Sequence, residues 1–205
     1  SAGVDLSDHE VNIKVLLQPL LNAGELSFVQ RNRLLAEMTE DVNALVLKDN
    51  YFQSLAISLA ERRSLGDAGL FESLAEYLAD KGGLDPQVEF LPSARQLAER
   101  LKGGSSYTRP ELAILLAYTK MGMYRRLLET GFPDEPYFQT YLVRYFPPVL
   151  AERYPEAIAA HRLRREIIAT QFTNTVVDLL GVTFVHRMLR DTGATPVEVL
   201  RAALV

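Results

Sequence analysis

The segment Thr108-Arg109-Pro110-Glu111 limits what this chain can fold into more than any other. Thr at an N-cap, Pro inside the first turn and Glu three residues after the Thr form a capping box, which satisfies N–H groups that a helix start leaves without partners. The next seven residues, Leu112 to Tyr118, are all apolar. A helix apolar all round for two turns cannot face water, so it is expected in the middle of a helical bundle.

Similar punctuation recurs along the chain, and strand alternation is almost absent. Ser7-Asp8-His9-Glu10 reads as a second capping box, with Ser7 as N-cap of a helix whose apolar residues are Val11, Val15, Leu16 and Leu20 and which stops near Gly24. Thr39 to Ser64 carries a longer amphipathic pattern, with Val42, Leu45, Val46, Tyr51, Phe52, Leu55 and Leu59 on or near one face. Asp67 caps a segment that ends at Lys81-Gly82-Gly83. From Gly82 to Pro92 the pattern is irregular, a connector or hinge, after which Ser93 caps a short helix ending at Gly103-Gly104.

Beyond Gly131, Tyr137, Tyr141 and Tyr145 fall at helical spacing, and Pro147-Pro148 ends that stretch. Pro155 starts a helix expected to run to Leu180, where Gly181 breaks it. Phe184 to Arg190 and a last helix with the box Thr195-Pro196-Val197-Glu198 complete the pattern, which continues to Val205. The sum is eight to ten helices and no strand: an all-α multi-helix bundle in one or two subdomains. No period of 20 to 50 residues repeats, which argues against a solenoid.

Composition narrows the chemistry. The 205 residues are 48% hydrophobic and 23% charged and include no Cys, which removes disulfide scaffolds, thiol nucleophiles and Cys-rich metal sites. A formal charge of -4 gives no general attraction for nucleic acid or an anionic membrane, and no apolar run approaches a membrane span. A soluble, cytoplasmic protein is expected. The chain opens at Ser1 rather than Met and its helical pattern reaches Val205, so both ends read as cut.

Candidate catalytic groups are few. His9, His161 and His186 stand on different predicted helices in no metal-binding spacing, and surface or capped positions are expected for them. Only His9, between Asp8 and Glu10, has acidic neighbours that favour its charged form. No Gly-rich phosphate loop or nucleophile elbow is present. Glu37, Glu40 and Asp41 read as a solvated face rather than a catalytic pair. The basic run His161-Arg162-Leu163-Arg164-Arg165 offers guanidinium groups for phosphates, yet Glu156, Glu166 and Asp178 nearby make ion pairs, within the chain or between subunits, the better account. Tyr137, Phe138, Tyr141, Tyr145 and Phe146 form either an interaction surface or core.

Seven blocks then occur in a telling order: Ser7-Asp8-His9-Glu10-Val11-Asn12-Ile13-Lys14, Arg31-Asn32-Arg33-Leu34-Leu35, Leu47-Lys48-Asp49-Asn50-Tyr51, Glu89-Phe90-Leu91-Pro92, Thr108 to Ala113, Arg144-Tyr145-Phe146-Pro147 and His161 to Thr170. Over nearly the whole chain they resemble the large bacterial NAD-specific glutamate dehydrogenases, in the helical region that follows the catalytic core. The resemblance implies a parent enzyme that converts L-glutamate, NAD and water to 2-oxoglutarate, ammonia and NADH. It also implies that the catalytic residues and the NAD-binding loop lie upstream, so that no catalytic, cofactor or metal residue falls within this chain. Residues 1–12 would then be the tail of the catalytic core and an entry helix, 13–104 a first helical subdomain and 105–205 a second. The implied partners are the upstream catalytic domain, other copies of the parent and its substrates; nucleic acid and membrane are not implied.

One position is an exception. Gly3-Val4-Asp5-Leu6-Ser7-Asp8-His9-Glu10 is similar to a Gly-Val-x-x-Ser-x-x-Glu pattern of smaller glutamate dehydrogenases, in which the serine helps bind the substrate's side-chain carboxylate. Carried over, Ser7 is the one substrate-binding residue, although Asp8-His9 stands where those enzymes have an aromatic pair. Ser7 as a plain N-cap is the competing reading. For the chain as a whole the alternative is a stand-alone helical protein-interaction module, and a third reading is a nucleic-acid binder built on His161 to Arg165.

Overall fold

The computed structural model describes residues 2–203; Ser1, Leu204 and Val205, and with them the end of the helical pattern expected to reach Val205, lie outside the described residues. Among those residues there are twelve α-helices and no strand, so the all-α class holds. They are α1 (Ala2–Asn22), α2 (Phe28–Glu37), α3 (Thr39–Gly66), α4 (Ala68–Tyr77), α5 (Ala94–Lys102) and α6 (Arg109–Leu128). After two 3-10 turns, Phe132–Asp134 and Pro136–Phe138, come α7 (Gln139–Tyr145), α8 (Pro148–Arg153), α9 (Pro155–Ala159), α10 (Arg164–Leu180), α11 (Phe184–Thr192) and α12 (Pro196–Ala202).

Most of the helix ends follow from local chemistry. Boxes at Ser93 and Gln96, Thr108 and Glu111, and Thr195 and Glu198 open α5, α6 and α12, and Asp67 accepts from Leu70 N–H to open α4. Gly24, Gly83, Gly104 and Gly181 all have positive φ where a helix or turn ends. The irregular stretch after Gly82 is present as expected. A box not anticipated from the sequence, Ser27 with Gln30, opens α2.

Two expectations are corrected. Ser7 is no N-cap: α1 already begins at Ala2, with Asp5 in its first turn, so Ser7 lies inside the helix. The helix expected from Pro155 to Leu180 is broken between Ala159 and Arg164. There the Leu163 N–H donates to His161 Nδ1 at 3.1 Å, and His161 Nε2 lies 3.1 Å from the Asn12 carbonyl oxygen. A side chain that takes a backbone N–H and anchors to a distant helix diverts the i to i+4 ladder.

Contacts group the chain into two units. The first takes in Ser1–Phe52 and Thr130–Phe172, the second Gln53–Glu129 and Thr173–Val205. This grouping interleaves the chain, because α3 and α10 each continue from one unit into the other. The first unit has a core of Ile13, Leu16 and Leu17 from α1 with Leu142 and Leu150, and an aromatic group in which the Phe132 ring lies 4.0 Å from Phe138 and 5.2 Å from Phe172. Phe138, Tyr145 and Phe146 are buried whereas Tyr137 is exposed, so the aromatic group of the sequence is mainly core.

In the second unit, α6 buries Leu112 and Leu115 completely, as its apolar run requires, although Ala117 still faces solvent. Phe71, Leu74 and Leu78 are buried with it in the same unit. Lys120 and Asp178 form an ion pair at 2.9 Å with little exposure on either side. Burial pushes the Asp178 carboxyl above its usual range and Lys120 opposes this.

Candidate functional site

A set of linked polar side chains lies in the first unit, where α1 meets the end of α7 and the break before α10. Asp8, His9 and Asn12 project from α1 at spacings that place them on one side of the helix. Tyr145, the last residue of α7, donates its hydroxyl proton to Asp8 Oδ2 at 2.7 Å. The Tyr145 hydroxyl oxygen in turn accepts from Asn12 Nδ2 at 2.9 Å, and that amide also reaches Asp8 Oδ1 and the Asp8 carbonyl, both at 3.1 Å. The His9 ring stacks on Tyr145 with centroids 4.3 Å apart and planes 14° apart. Phe146 packs 5.5 Å from His161.

The three histidines, expected at surface or capped positions, are all buried, with exposures of 3% for His9 and His161 and 8% for His186. Burial lowers the pKa of each. For His9 it outweighs the upward pull of Asp8 and Asp5, so the acidic neighbours read from the sequence do not decide its charge. The N–H that His161 Nδ1 accepts from Leu163 leaves the ring proton on Nε2, where it donates to Asn12 O. Tyr145 is pushed up, first by burial and then by its bond to Asp8. His9 Nδ1 and Asn12 Oδ1 have no hydrogen-bond partner among the described residues.

The other sequence candidates are dispersed. Ser7 is exposed on α1, one residue before Asp8 but turned away from this cluster. In the basic run, Arg164 and Arg165 both pair with Asp134, so the ion-pair reading holds with a partner other than the acids named from the sequence. Arg162 is exposed. Glu37, Glu40 and Asp41 are exposed, and Glu37 pairs with Arg153 at 3.0 Å. His186 stands in the second unit, 2.9 Å from Ser73 Oγ and beside Tyr77.

This arrangement ties α1 to the end of α7. Asp8 and Tyr145 are bonded to each other and to Asn12, and no group of three or more His, Asp or Glu fit to hold a metal occurs among the described residues. The apolar crevice beside Tyr77 and His186 has room for about 40 Å³, against the roughly 300 Å³ or more of a typical ligand pocket. A larger groove, about 740 Å³, lies open between α2 and Arg153, and its charged walls are exposed. The sequence reading missed the Asp8–Asn12–Tyr145 cluster, since Tyr145 lies more than a hundred residues from the other two and only the spacing of Asp8 and Asn12 hints at it.

Comparison with known proteins supplies what the geometry lacks. Residues 104–205 match the family profile described as glutamate dehydrogenase, C-terminal, and residues 1–60 match that of the bacterial NAD-glutamate dehydrogenase catalytic domain. The chain is similar to NAD-specific glutamate dehydrogenases of Halomonas elongata, 42% identical over 205 residues, and Pseudomonas aeruginosa, 43% identical over 205 residues. It is 40% identical over 201 residues to that of Mycobacterium tuberculosis. These matches take in 100%, 100% and 98% of the chain but only 13%, 13% and 12% of the relatives' own lengths.

Proposed function

This chain belongs to the bacterial NAD-specific glutamate dehydrogenase family, and from that premise we propose that it serves as the C-terminal helical segment of such an enzyme. The parent oxidises L-glutamate with NAD and water to 2-oxoglutarate, ammonia and NADH. NAD binds outside these residues, and the segment alone is inactive. The observation that carries the reading is 42% and 43% identity across all 205 residues to two enzymes of which those residues are 13%.

Within that reading, residues 1–12 close the catalytic core and enter α1, 13–104 form one helical subdomain and 105–205 another. The match to a C-terminal family profile from residue 104 supports the second boundary, and the match to a catalytic-domain profile over residues 1–60 supports a catalytic affiliation for the start of the chain. Ser7 donates its hydroxyl to the distal carboxylate of glutamate, a charge-assisted bond that selects the substrate by its second acid group. Its exposure on α1 supports this, since the groups that complete such a site come from outside the chain. The segment packs on the catalytic domain and supports assembly of a homo-oligomer in the cytoplasm.

The test is the native mass of the polypeptide that carries this sequence, read with an antibody to the segment on a denaturing gel of the source cells. A band several times larger than 23.0 kDa that co-purifies with NAD-linked glutamate oxidation is the expected result. A band near 23.0 kDa without that activity overturns it in favour of a stand-alone interaction module.

A further inference from the structure

We propose that the outward face of α1, together with the adjoining face of α3, is the seat of the remainder of the catalytic domain; this rests on the reading of the chain as a segment of a larger dehydrogenase. Val4, Ser7 and Val11 follow one another at helical spacing on α1, and the two valines are 67% and 52% exposed. Leu47 and Tyr51 do the same on α3, at 66% and 65%. Asn50 Nδ2 donates to Asp5 Oδ2 at 2.7 Å, which holds together the residues next in sequence to Tyr51 and Val4.

A surface helix needs one apolar stripe, and α1 already buries one through His9, Ile13, Leu16 and Leu17. Its second stripe is left uncovered among the described residues. The distribution of such exposed groups points to the occupant. Among the described residues, eight of the seventeen large hydrophobic side chains left exposed, from Val4 to Leu59, fall in residues 1–60, against five, from Met121 to Leu180, in residues 104–205. The shorter stretch, the one that matches a catalytic-domain profile, carries the larger number. A domain represented by only one of its pieces leaves apolar surface facing outward where the missing piece belongs. That surface therefore fits the rest of its own domain better than a second copy.

The experiment uses the absence of cysteine from this segment. Val11→Cys and Leu47→Cys are placed separately in the full-length polypeptide, and maleimide labelling of the peptide that contains each is followed by mass spectrometry in the native and the denatured enzyme. Roughly tenfold or greater protection in the native enzyme at both positions is expected. Labelling at rates within about threefold of the denatured chain overturns the proposal. Protection that vanishes when the enzyme is dissociated to single subunits assigns the face to a second copy and overturns it too. If the native polypeptide proves to be near 23.0 kDa, it is the parent reading that fails, by a separate measurement.

Discussion

Tyr145 and Asp8, 137 residues apart in sequence, are joined by a 2.7 Å hydrogen bond that ties the end of α7 to the first turns of α1. Because Tyr145 also accepts from Asn12, Tyr145→Phe removes two bonds and leaves the Asn12 amide with only Asp8. A loss of about 1 to 3 kcal/mol in unfolding free energy is expected in urea titrations. Adding Asp8→Ala to Tyr145→Phe should cost less than the sum of the two single changes, and strict additivity would mean the bond contributes nothing.

Stability should fall with acidity as the buried histidines take up protons. Burial holds the pKa of His9, His161 and His186 below the usual 6.5, so the unfolded chain binds more protons than the folded one between those values. Their contribution is complete above about pH 6.5 and is lost as pH drops through that value toward the folded pKa. Urea midpoints measured from pH 8 to about pH 5 should decline, and a His161→Gln variant should decline less steeply.

Gly181 closes α10 with φ +97°, and a Cβ there would meet Arg63 Nη1 at 2.6 Å. Gly181→Ala combines backbone strain with displacement of the Arg63 side chain from the Leu180 carbonyl, 3.4 Å away. A cost of about 1 to 3 kcal/mol is expected in thermal unfolding. Adding Arg63→Ala should recover only the steric part, so the double variant should lie between the single variant and the parent chain.

Glu111 shows how a cap can be shared. Burial acts to raise its carboxyl, yet two bonds from Arg100 Nη1, at 2.8 and 3.0 Å, and one from Thr108 N–H, at 2.7 Å, outweigh this and hold it below the usual range. Glu111→Gln keeps an oxygen for Thr108 but loses the ion pair; with Arg100 34% exposed, roughly 1 kcal/mol is expected. Glu111→Ala also loses the cap, for about 1 kcal/mol more. Since its pKa is depressed, the Glu111 contribution is present above about pH 4.3 and is lost as pH falls through the folded value.

For Ser7, exposed on α1, the proposed substrate contact predicts a kinetic signature. Ser7→Ala in the full-length enzyme should raise KM for glutamate roughly tenfold or more and leave KM for NAD unchanged. Ser7→Thr, which retains a hydroxyl, should recover part of the loss. Unchanged glutamate kinetics in Ser7→Ala would remove the residue from the site.

What could be read from the sequence was mainly what local chemistry decides. Caps at Ser93, Thr108 and Thr195 and the glycine stops at Gly24 and Gly181 are short-range devices, and each appears where expected. Contacts over long separations were not legible. The break before α10 depends on His161 reaching Asn12, 149 residues away, and the histidines are buried by residues remote in sequence. Ser7 looked like a cap because Ser followed by Glu three residues on fits a helix start, yet the same spacing also fits a helix interior. Of the site, Ser7 was named from a resemblance, whereas the Tyr145–Asp8 bond had no short-range trace.

The interleaving of the two units also sets an order of events during synthesis. The first unit needs residues as far as Phe172 and the second needs residues beyond Thr173, so neither can be completed while the ribosome is still translating the long middle stretch. Helices α1, α2 and the start of α3 must wait for more than 75 residues of chain, Gln53–Glu129, to emerge before their partners from Thr130 onward arrive. Through that interval their apolar sides are open to chaperones, and slowing translation within residues 53–129 should lengthen the exposure without changing a single native contact.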